Sequence, residues 1–476
     1  MDSWMNALII YSVIVLFYFL ILNGTYLLLT LISFFSLRQH RMMQKITYEG
    51  HIFRSEFYKP ISLIIPAYNE ESTIVETLFS ALSLSYPEYE VVAVNDGSSD
   101  ETLAELKRAF SLQPSARDFT YEVPCQEIRQ VYRSLTHPHL VVLDKINGGK
   151  SDALNAGVNV SQFPIFCNTD ADSVLDSSSL IKLVDPFVRD RRVVAVGGTI
   201  RVANHCEISG GRITKVLLSP RFWVRFQVVE YLRAFLFGRM GWSTLGGVLI
   251  LSGAFSIFRR RTVIEAGGYS KTTVGEDMEL VLRMQRTMKE NKKDYRIVFL
   301  PDPVCWTQVP EDAGSLSRQR RRWQRGLSES LIANFPMFFN PQYGATGMIS
   351  FPFYFFFEFL GPVIELSGYI IFIVSLFMGI LHTSFVVLFL MAAILLGVLL
   401  STSAIFFEVM FFRNYYNAKE VLILFIFSIL ENFGYRQLHT WWRFRGIIEF
   451  LFKRKNYWGE ISRHQFNKKE DNQKAV

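Results

Sequence analysis

Charge is missing from the first apolar run of the chain. Between Ser3 and Leu37 there is no Asp, Glu, Lys, Arg or His. A helix of about 20 apolar residues already crosses a hydrocarbon core of about 30 Å, and this run is much longer. It also lacks the basic start of a signal peptide. We therefore expect residues 1–37 to form a retained transmembrane helix rather than a cleaved leader.

Close pairs of cysteines are missing as well. The chain has 476 residues and its four cysteines lie far apart, which argues against a zinc site and against a disulfide framework. We expect reduced packing residues. They are Cys125, Cys167, Cys206 and Cys305.

A second stretch that lacks charge lies nearer the carboxyl terminus. Leu366 to Phe407 carries no charge except a possible one at His382, so it predicts a hairpin of two spans that turns near His382 to Ser384. Two shorter apolar segments, Phe351 to Leu360 and Val421 to Leu430, are each either an interfacial helix or part of a span. The region 346–435 is therefore predicted to hold two to four spans.

Carboxylates inside or beside these apolar segments need an explanation, because charge is costly in a membrane. They either line a polar path through the helices, or they are paired or reach out to the interface. The residues are Glu358, Glu365, Glu408 and Glu431.

Basic residues set the expected orientation. No Lys or Arg precedes the first apolar run, whereas Arg38, Arg41, Lys45, Arg54 and Lys59 follow it. The positive-inside rule then places the amino terminus outside and the next domain in the cytoplasm. The net charge of +7 gathers beside apolar segments, which favours anionic lipid headgroups over nucleic acid as the partner.

The end of the chain mixes aromatic and basic residues. Residues 436–463 contain Trp441, Trp442 and Trp458 among many basic residues and predict a cytoplasmic amphipathic interfacial segment. An even number of spans must then follow the soluble domain, which gives three or five in total. The polar tail 464–476 is expected to be disordered. We expect a multi-pass protein of the inner or plasma membrane.

Residues 58–310 have a different pattern. Short β-branched runs alternate with helical stretches, which predicts a cytosolic α/β domain with a mostly parallel mixed sheet and helices on both faces. The predicted strands are 61–66, 91–96, 139–144, 164–170, 193–198 and 296–301. Such sheets bind ligands beyond the carboxyl ends of the strands, where Asn69, Asp96, Asp144 and Asp170 fall.

Asp170 and Asp172 follow a buried-looking strand, one residue apart. Adjacent carboxylates repel each other unless a cation joins them, and all-oxygen ligation suits Mg²⁺ or Mn²⁺, which commonly also bind substrate phosphates. Two aspartates in a solvated loop would give the same pattern. The position at a strand end, beside other polar clusters, favours a site for a metal and a diphosphate.

Three further turns carry residues that are candidates for binding a base, a ribose or a phosphate. In PAYNEE (66–71), Tyr68 and Glu70 are candidates for contact with a base or ribose. In NDGSSD (95–100), Asp96 holds a usual ligand position, whereas helix capping alone explains the residues after it. In DKINGGKSDALNAG (144–157), Lys150 is a candidate phosphate binder, and Lys145 is explained equally well as a surface lysine. The pattern GxxxxGK[ST] is absent, which argues against a P-loop enzyme.

An acidic pair begins a predicted amphipathic helix at Glu276 and Asp277. The helix dipole by itself explains acidic residues there. Transfer to a sugar hydroxyl, however, requires a base, which typically contributes about 10²–10⁴-fold, and Asp277 is our candidate. Gly253, in LSGAFSIFRR (251–260), is small enough to let a sugar chain pass close to the backbone.

RQRRRWQRG (318–326) concentrates arginine just before the second apolar region. A positive-inside flank or a lipid contact explains the charge. It explains Gln319 and Trp323 less well, because an indole ring stacks on sugars and an arginine such as Arg322 clamps a diphosphate. We expect residues 311–345 to form this segment and an interfacial helix.

The order of these motifs resembles the family 2 processive glycosyltransferases, the synthases of cellulose, chitin, hyaluronan and poly-N-acetylglucosamine. The resemblance rests on Asp96 in NDG, Asp170-Ala-Asp172, Glu276-Asp277 and the Q-x-x-R-W run from Gln319 to Trp323. It implies a GT-A fold, a UDP-linked sugar donor, a divalent metal, inversion at the anomeric carbon and extrusion of a polymer through the enzyme's own helices.

The resemblance also implies a role for each matching residue. Asp96 would contact the uridine, Asp170 and Asp172 the nucleotide and the metal, and Asp277 the acceptor hydroxyl beside Glu276. Gln319, Arg322 and Trp323 would meet the diphosphate and the acceptor sugar. Two features depart from the family: the acidic motif is GED where cellulose synthases have TED, and the segment 110–137 has no counterpart. They leave the identity of the polymer open.

We therefore expect a processive inverting synthase that adds UDP-glucose or UDP-N-acetylglucosamine to a β-linked polysaccharide and moves it across the membrane. One alternative is the transfer of a single sugar to a lipid or polyprenyl phosphate. Another is a transporter or binding subunit with a silent transferase-like domain. The sequence does not identify any accessory secretion protein.

Overall fold

Two compact units make up the chain in the computed structural model. The helical unit contains Met1–Gln44, Pro220–Gly247 and Pro310–Gly459, and the sheet unit contains the remaining residues. The structure describes residues 3–48, 58–209, 211–412 and 417–452. Arg54, Trp458, the end of the predicted interfacial segment and the polar tail lie outside the described residues.

The strands belong to the sheet unit. They are β1 (Ile61–Ala67), β2 (Tyr89–Asn95), β3 (Leu112–Pro114), β4 (Ile128–Ser134), β5 (Leu140–Lys145), β6 (Ile165–Thr169), β7 (Ser173–Leu175), β8 (Val193–Val202), β9 (Glu207–Ser209), β10 (Arg212–Lys215), β11 (Phe255–Arg259) and β12 (Arg296–Thr307). All six predicted strands are present. The predictions missed β4, β11 and the short strands β3, β7, β9 and β10.

The helices are distributed over both units. They are α1 (Ser3–Tyr48), α2 (Ile74–Leu82), α3 (Thr102–Phe110), α4 (Lys150–Val160), α5 (Ser179–Arg189), α6 (Phe222–Glu230), α7 (Arg239–Thr244), α8 (Arg260–Glu265), α9 (Glu276–Glu290), α10 (Ala313–Ala333), α11 (Phe351–Phe353), α12 (Gly361–Phe377), α13 (Thr383–Leu390), α14 (Leu396–Phe411), α15 (Ala418–Leu430) and α16 (Arg436–Leu451). Several are joined by π-helical turns, at Tyr231–Gly238, Thr346–Ser350, Tyr354–Phe359, Met391–Leu395 and Glu431–Tyr435.

One mixed sheet carries ten of the described strands, in the order β3-β4-β5-β2-β1-β6-β11-β8-β12-β7. β5, β2, β1 and β6 are neighbours and run parallel, and β8 and β12 form a second parallel pair. β4, β11 and β7 run the other way. The mixed, mostly parallel α/β fold predicted from the sequence is confirmed. The segment 110–137 supplies β3 and β4 at one edge.

Burial on both faces explains why the strand sequences are almost continuously apolar. Every residue of β2 and β8 is buried, as expected for strands that are covered on both faces. α4 is buried along its whole length except at Lys150. A Cβ atom on Gly157 of α4 would lie 2.4 Å from Ile64 Cγ2, so glycine lets this helix pack closely on β1.

Three described helices of the helical unit are long and apolar enough to cross a membrane. These are Trp4–Met42, Thr383–Phe411 and Ala418–Leu451, and the pair Thr346–Phe359 and Gly361–Phe377, bent by 45°, would form a fourth. α12 ends at Phe377 and His382 caps the next helix, so a break falls close to the predicted turn; that both arms cross a membrane stays a prediction. The two ambiguous apolar segments lie in the bent pair and in the last of these helices.

Buried carboxylates of the helical unit have partners within that unit. Of the two alternatives left open by the sequence, pairing describes Glu358, Glu365 and Glu431. The pairs are Glu358 with Arg443 (2.8 Å), Glu431 with Arg436 (3.0 Å) and Glu365 with Thr440 (2.8 Å). The contacts of Glu358 with Arg443 and of Glu365 with Thr440 join the segment around the start of α12 to α16, whereas Glu431 and Arg436 lie on one helical stretch. Removing one partner of a charged pair leaves the other charge uncompensated.

We expect Phe166→Ala to lower the thermal unfolding temperature strongly. Phe166 is fully buried in β6 and its ring stacks on Phe258 at 5.6 Å between centroids, and removal of such a side chain costs about 3–5 kcal/mol. Tyr121, which is 56% exposed, is the control, since Tyr121→Ala should stay within about 0.5 kcal/mol. Fluorescence-detected unfolding of the full chain in detergent measures both. Equal shifts would contradict the assigned core.

Candidate active site

The parallel strands bring the predicted polar turns to one edge of the sheet. β1, β2, β5 and β6 pair in parallel register, so their carboxyl ends lie side by side. Tyr68 and Glu70 follow β1, Asp96 follows β2, and Asp170 and Asp172 follow β6. The turn after β5 leads directly into α4. Sequence reasoning therefore located this edge correctly.

Lys150, the first residue of α4, joins two acidic segments. Its Nζ atom lies 2.6 Å from Asp170 Oδ1 and 3.5 Å from Glu276 Oε1. Burial lowers the pKa of this amine, but the carboxylates of Asp170, Glu276 and Asp277 outweigh burial and hold the pKa above its ordinary value. The ammonium group thus stays charged and draws the end of β6 to the start of α9.

Asp172 is the more deeply buried of the two aspartates in the D-x-D motif. Burial and the negative charge of Asp170 raise the pKa of Asp172 to about 7, against the opposing effect of Lys150. Asp170 is more open, with 28% of its side chain exposed. This edge therefore carries an excess of negative charge that an added cation would relieve.

The oxygen donors of this cluster fit Mg²⁺ or Mn²⁺. Within the described residues, no group of three or more His, Cys, Asp or Glu side chains is arranged to hold a metal by itself. These ions are usually held by one or two carboxylates, with water and substrate phosphates completing the shell. Asp170 and Asp172 match that requirement if a diphosphate supplies further oxygens.

Asp277 is fixed by backbone donors at the start of α9. Its Oδ2 atom accepts a hydrogen bond from Gly253 N (3.0 Å), and its Oδ1 atom accepts one from Met278 N (2.8 Å). The carbonyl of Gly253 accepts from Asn168 Nδ2 (2.9 Å). A Cβ atom on Gly253 would lie 3.3 Å from Asp277 Oδ2. Gly253 therefore positions Asp277, a contact that the sequence did not indicate.

Asp96 is buried and its carboxylate already accepts several hydrogen bonds from the protein. Lys145 Nζ donates at 2.5 Å, Gly148 N at 3.1 Å and Gly149 N at 2.7 Å. Lys145 is itself fully buried, so the surface-lysine interpretation is wrong. Asp96 shapes the turn 145–150 that presents Lys150.

The two candidate residues in the turn after β1 differ in exposure. Tyr68 is 45% exposed, so its ring is open to a ligand. Glu70 is buried, and its Oε2 atom accepts a hydrogen bond from Thr73 Oγ1 (3.0 Å) at the start of α2. Asn69 has a φ angle of 54° and accepts from Ser99 N (2.9 Å), which ties this turn to the one after β2.

The remaining candidates lie on α10 in the helical unit. Arg322 is exposed, and Gln319 and Trp323 are half-buried. Their neighbour Arg320 is almost fully buried, with its guanidinium 2.9 Å from Glu230 and stacked 4.3 Å from the centre of the Trp323 ring. A lipid-facing flank does not describe Arg320. That Gln319, Arg322 and Trp323 meet a substrate stays a prediction.

Comparisons with known proteins identify the family of the chain. The family model described as glycosyltransferase-like family 2 matches residues 59–326, and one described as chitin synthase matches 271–473. Poly-β-1,6-N-acetyl-D-glucosamine synthases of Staphylococcus epidermidis and Staphylococcus aureus are each 30% identical, over 275 and 277 residues. Each alignment covers 58% of this chain and 56% of the relative, so the chain spans just over half the length of these relatives.

A solved structure shares the fold. The mannosyltransferase of Pyrobaculum calidifontis, in complex with GDP-Man and Mn²⁺, matches with a TM-score of 0.52. The match covers 91% of this chain and 100% of that one at 16% identity. At this identity the likeness shows the GT-A-like fold alone.

We expect Asp96→Asn to destabilise the protein in the absence of any nucleotide. The substitution removes the negative charge that faces the buried ammonium of Lys145, and loss of a buried, charged hydrogen-bond partner costs about 1–3 kcal/mol. Asp185→Asn is the matched control, because Asp185 pairs with Arg189 on the surface of α5 and such pairs contribute about 0.3–0.5 kcal/mol. An unfolding temperature no lower than that of the control would show that Asp96 does not hold the turn.

Proposed function

Because the chain belongs to glycosyltransferase family 2, we propose that it is a membrane-embedded, processive, inverting β-glycosyltransferase. It polymerises UDP-glucose or UDP-N-acetylglucosamine into a β-linked polysaccharide and moves the product across the membrane. The observation that supports the proposal is the convergence of Lys150, Asp170 and Glu276 beside Asp277, which would put a charged site for the donor next to the proposed base.

Residues at the sheet edge would bind the donor. Tyr68 offers an open ring to the uracil, and Asp96 and Glu70 hold the turns around it. Asp170 and Asp172 would bind Mg²⁺ or Mn²⁺, which when bound supplies positive charge at the diphosphate. Lys150 adds a fixed positive charge beside the same diphosphate, where negative charge develops as UDP leaves.

Asp277 would act on the acceptor. Its carboxylate accepts the proton of the acceptor hydroxyl while that oxygen bonds to the anomeric carbon and the bond from this carbon to UDP breaks. The attack comes from the face opposite UDP, so the configuration inverts. Gly253 keeps the Asp277 carboxylate in place, and holding both substrates in line contributes up to about 7–11 kcal/mol.

The α10 motif would complete the substrate contacts. We propose that Gln319 and Arg322 bind the diphosphate and that Trp323 stacks on the acceptor sugar. Support comes from the order of the motifs and from Arg320, which covers one part of the indole ring and is itself fixed by Glu230.

The helices of the helical unit suggest how the chain crosses the membrane. We propose an external amino terminus, a cytoplasmic catalytic domain at residues 58–310 and three spans in total, in the inner or plasma membrane. If the bent pair also crosses, the number of spans after the catalytic domain becomes odd, and the chain end moves outside. The partners would be the UDP-sugar, the growing glycan and the bilayer.

The size of the product tests the function. Purified full-length protein, given each radiolabelled UDP-sugar with Mg²⁺ or Mn²⁺, should release UDP and form a polymer that a linkage-specific glycanase digests. If the product is a lipid that carries one sugar, the hypothesis of processive synthesis is wrong and the single-transfer alternative replaces it. Absence of UDP release with every UDP-sugar would remove both.

We expect Asp277→Asn to abolish polymer formation with little change in UDP binding. Loss of a general base lowers turnover by about 10²–10⁴-fold, whereas the residues proposed to bind UDP stay in place. Turnover is measured by UDP release and UDP affinity by calorimetry. Asp294→Asn, in the loop after α9, is the control and should keep normal turnover. Unchanged synthesis in Asp277→Asn would exclude Asp277 as the base.

A further inference from the structure

We propose that Asp152 is a positioning residue that ties the turn carrying Lys150 to the loop that leads to Asp277. The geometry points to an ion-pair chain, Asp96–Lys145–Asp152–Lys271, in which negative and positive groups alternate. The inference rests on the proposed function, because it assigns to this chain the alignment of donor and base. Asp152 lies within DKINGGKSDALNAG (144–157), but no role for it or for Lys271 was predicted from the sequence.

Asp152 lies in the first turn of α4 and is completely buried. Its Oδ1 atom is 2.7 Å from Lys145 Nζ, and its Oδ2 atom contacts Lys271 Nζ. The backbone N–H of Gln126 donates to both carboxylate oxygens, at 3.0 and 3.1 Å. Burial raises the pKa of Asp152, but these donors outweigh it and lower the pKa below its usual value, so the carboxylate is charged.

One side of Asp152 faces the turn 145–150, which presents Lys150. A Cβ atom on Gly148 would lie 2.5 Å from Asp152 Cγ, so the turn packs directly on this carboxylate. Lys145 extends the contact to Asp96, whose carboxylate accepts from Gly148 and Gly149. A shift of Asp152 would therefore shift the backbone from which Lys150 starts.

The other side of Asp152 faces the loop before α9. Lys271 lies in this loop, which leads to Glu276 and Asp277. Its side chain is 38% exposed, yet its amine contacts the buried carboxylate of Asp152. α4 also holds the start of the loop, because Asn155 accepts from Tyr269 N (2.7 Å) and donates to Tyr269 O (3.0 Å). Two neighbouring residues of α4 thus fix the loop.

Within the ion-pair chain, Lys271 is the residue whose substitution should disturb the fold least. When the Lys271 charge is removed, Asp152 keeps Lys145 and Gln126 as partners, so the fold is retained. When the Asp152 charge is removed, Lys145 keeps Asp96. Lys293 supplies the matched control, because it is another partly exposed lysine, with its amine 2.8 Å from Glu265 and far along the chain from the GED motif.

The test uses the full-length protein in detergent with two readouts. Hydrogen exchange of the peptide 269–277 reports the tether, and UDP release reports turnover. Lys271→Met should raise exchange of this peptide and lower kcat about 10-fold or more, since small misplacement of a reacting group has effects of this size. UDP affinity and the unfolding temperature should stay within about 2-fold and about 2 °C of wild type. Lys271→Arg should restore kcat, and Lys293→Met should match wild type.

The double variant Asp152→Asn with Lys271→Met separates a tether from independent effects. Coupled residues give a loss no larger than that of Asp152→Asn alone, whereas losses that multiply would overturn the proposal. It is also overturned if Lys271→Met behaves like Lys293→Met, or if exchange rises while kcat is unchanged. If wild-type protein releases no UDP, the proposed function fails, and the exchange of the loop still decides whether the tether exists.

Discussion

Compensation of negative charge at one edge of the sheet is the constraint on which the site depends. Asp170, Asp172, Glu276 and Asp277 meet there, around the ammonium group of Lys150. Two unit charges 4 Å apart interact by about 4 kcal/mol at an effective dielectric constant of 20, so the acids could not gather without positive charge. The remaining excess, visible in the raised pKa of Asp172, is what makes this edge suitable for a cation and a diphosphate.

Lysines serve two different purposes in this domain. Lys150 stays partly exposed and faces Asp170 and Glu276, whereas Lys145 is fully buried between Asp96 and Asp152. The buried lysine shapes the turn, and Lys150 is the one proposed to offer its charge to a ligand. The helical unit likewise contains a buried and an exposed basic residue. Arg320 is buried in an ion pair with Glu230, and Arg322 lies at the surface.

Much of the fold was predictable because its determinants are local. The predicted strands are present as β1, β2, β5, β6, β8 and β12, since buried parallel strands are recognisable as short β-branched runs. β11 was missed, because its strand sequence is short and lies within a segment chosen for its glycine. The D-x-D and GED motifs stood out by their position at the ends of elements. Asp152 did not, because one acidic residue in a helix is ordinary until its burial is known.

The sequence by itself determined the apolar runs, the order of strands and helices along the chain, and the acidic pairs that end or begin them. These depend on the period and composition of neighbouring residues. Only the tertiary structure decided which group each acid faces: Asp152 contacts Lys145 and Lys271, and Asp277 accepts a hydrogen bond from Gly253 N. Apart from Lys145 and Asp152, these partners lie far apart in the chain, and they meet because strand order and helix packing, which local patterns do not encode, bring them together.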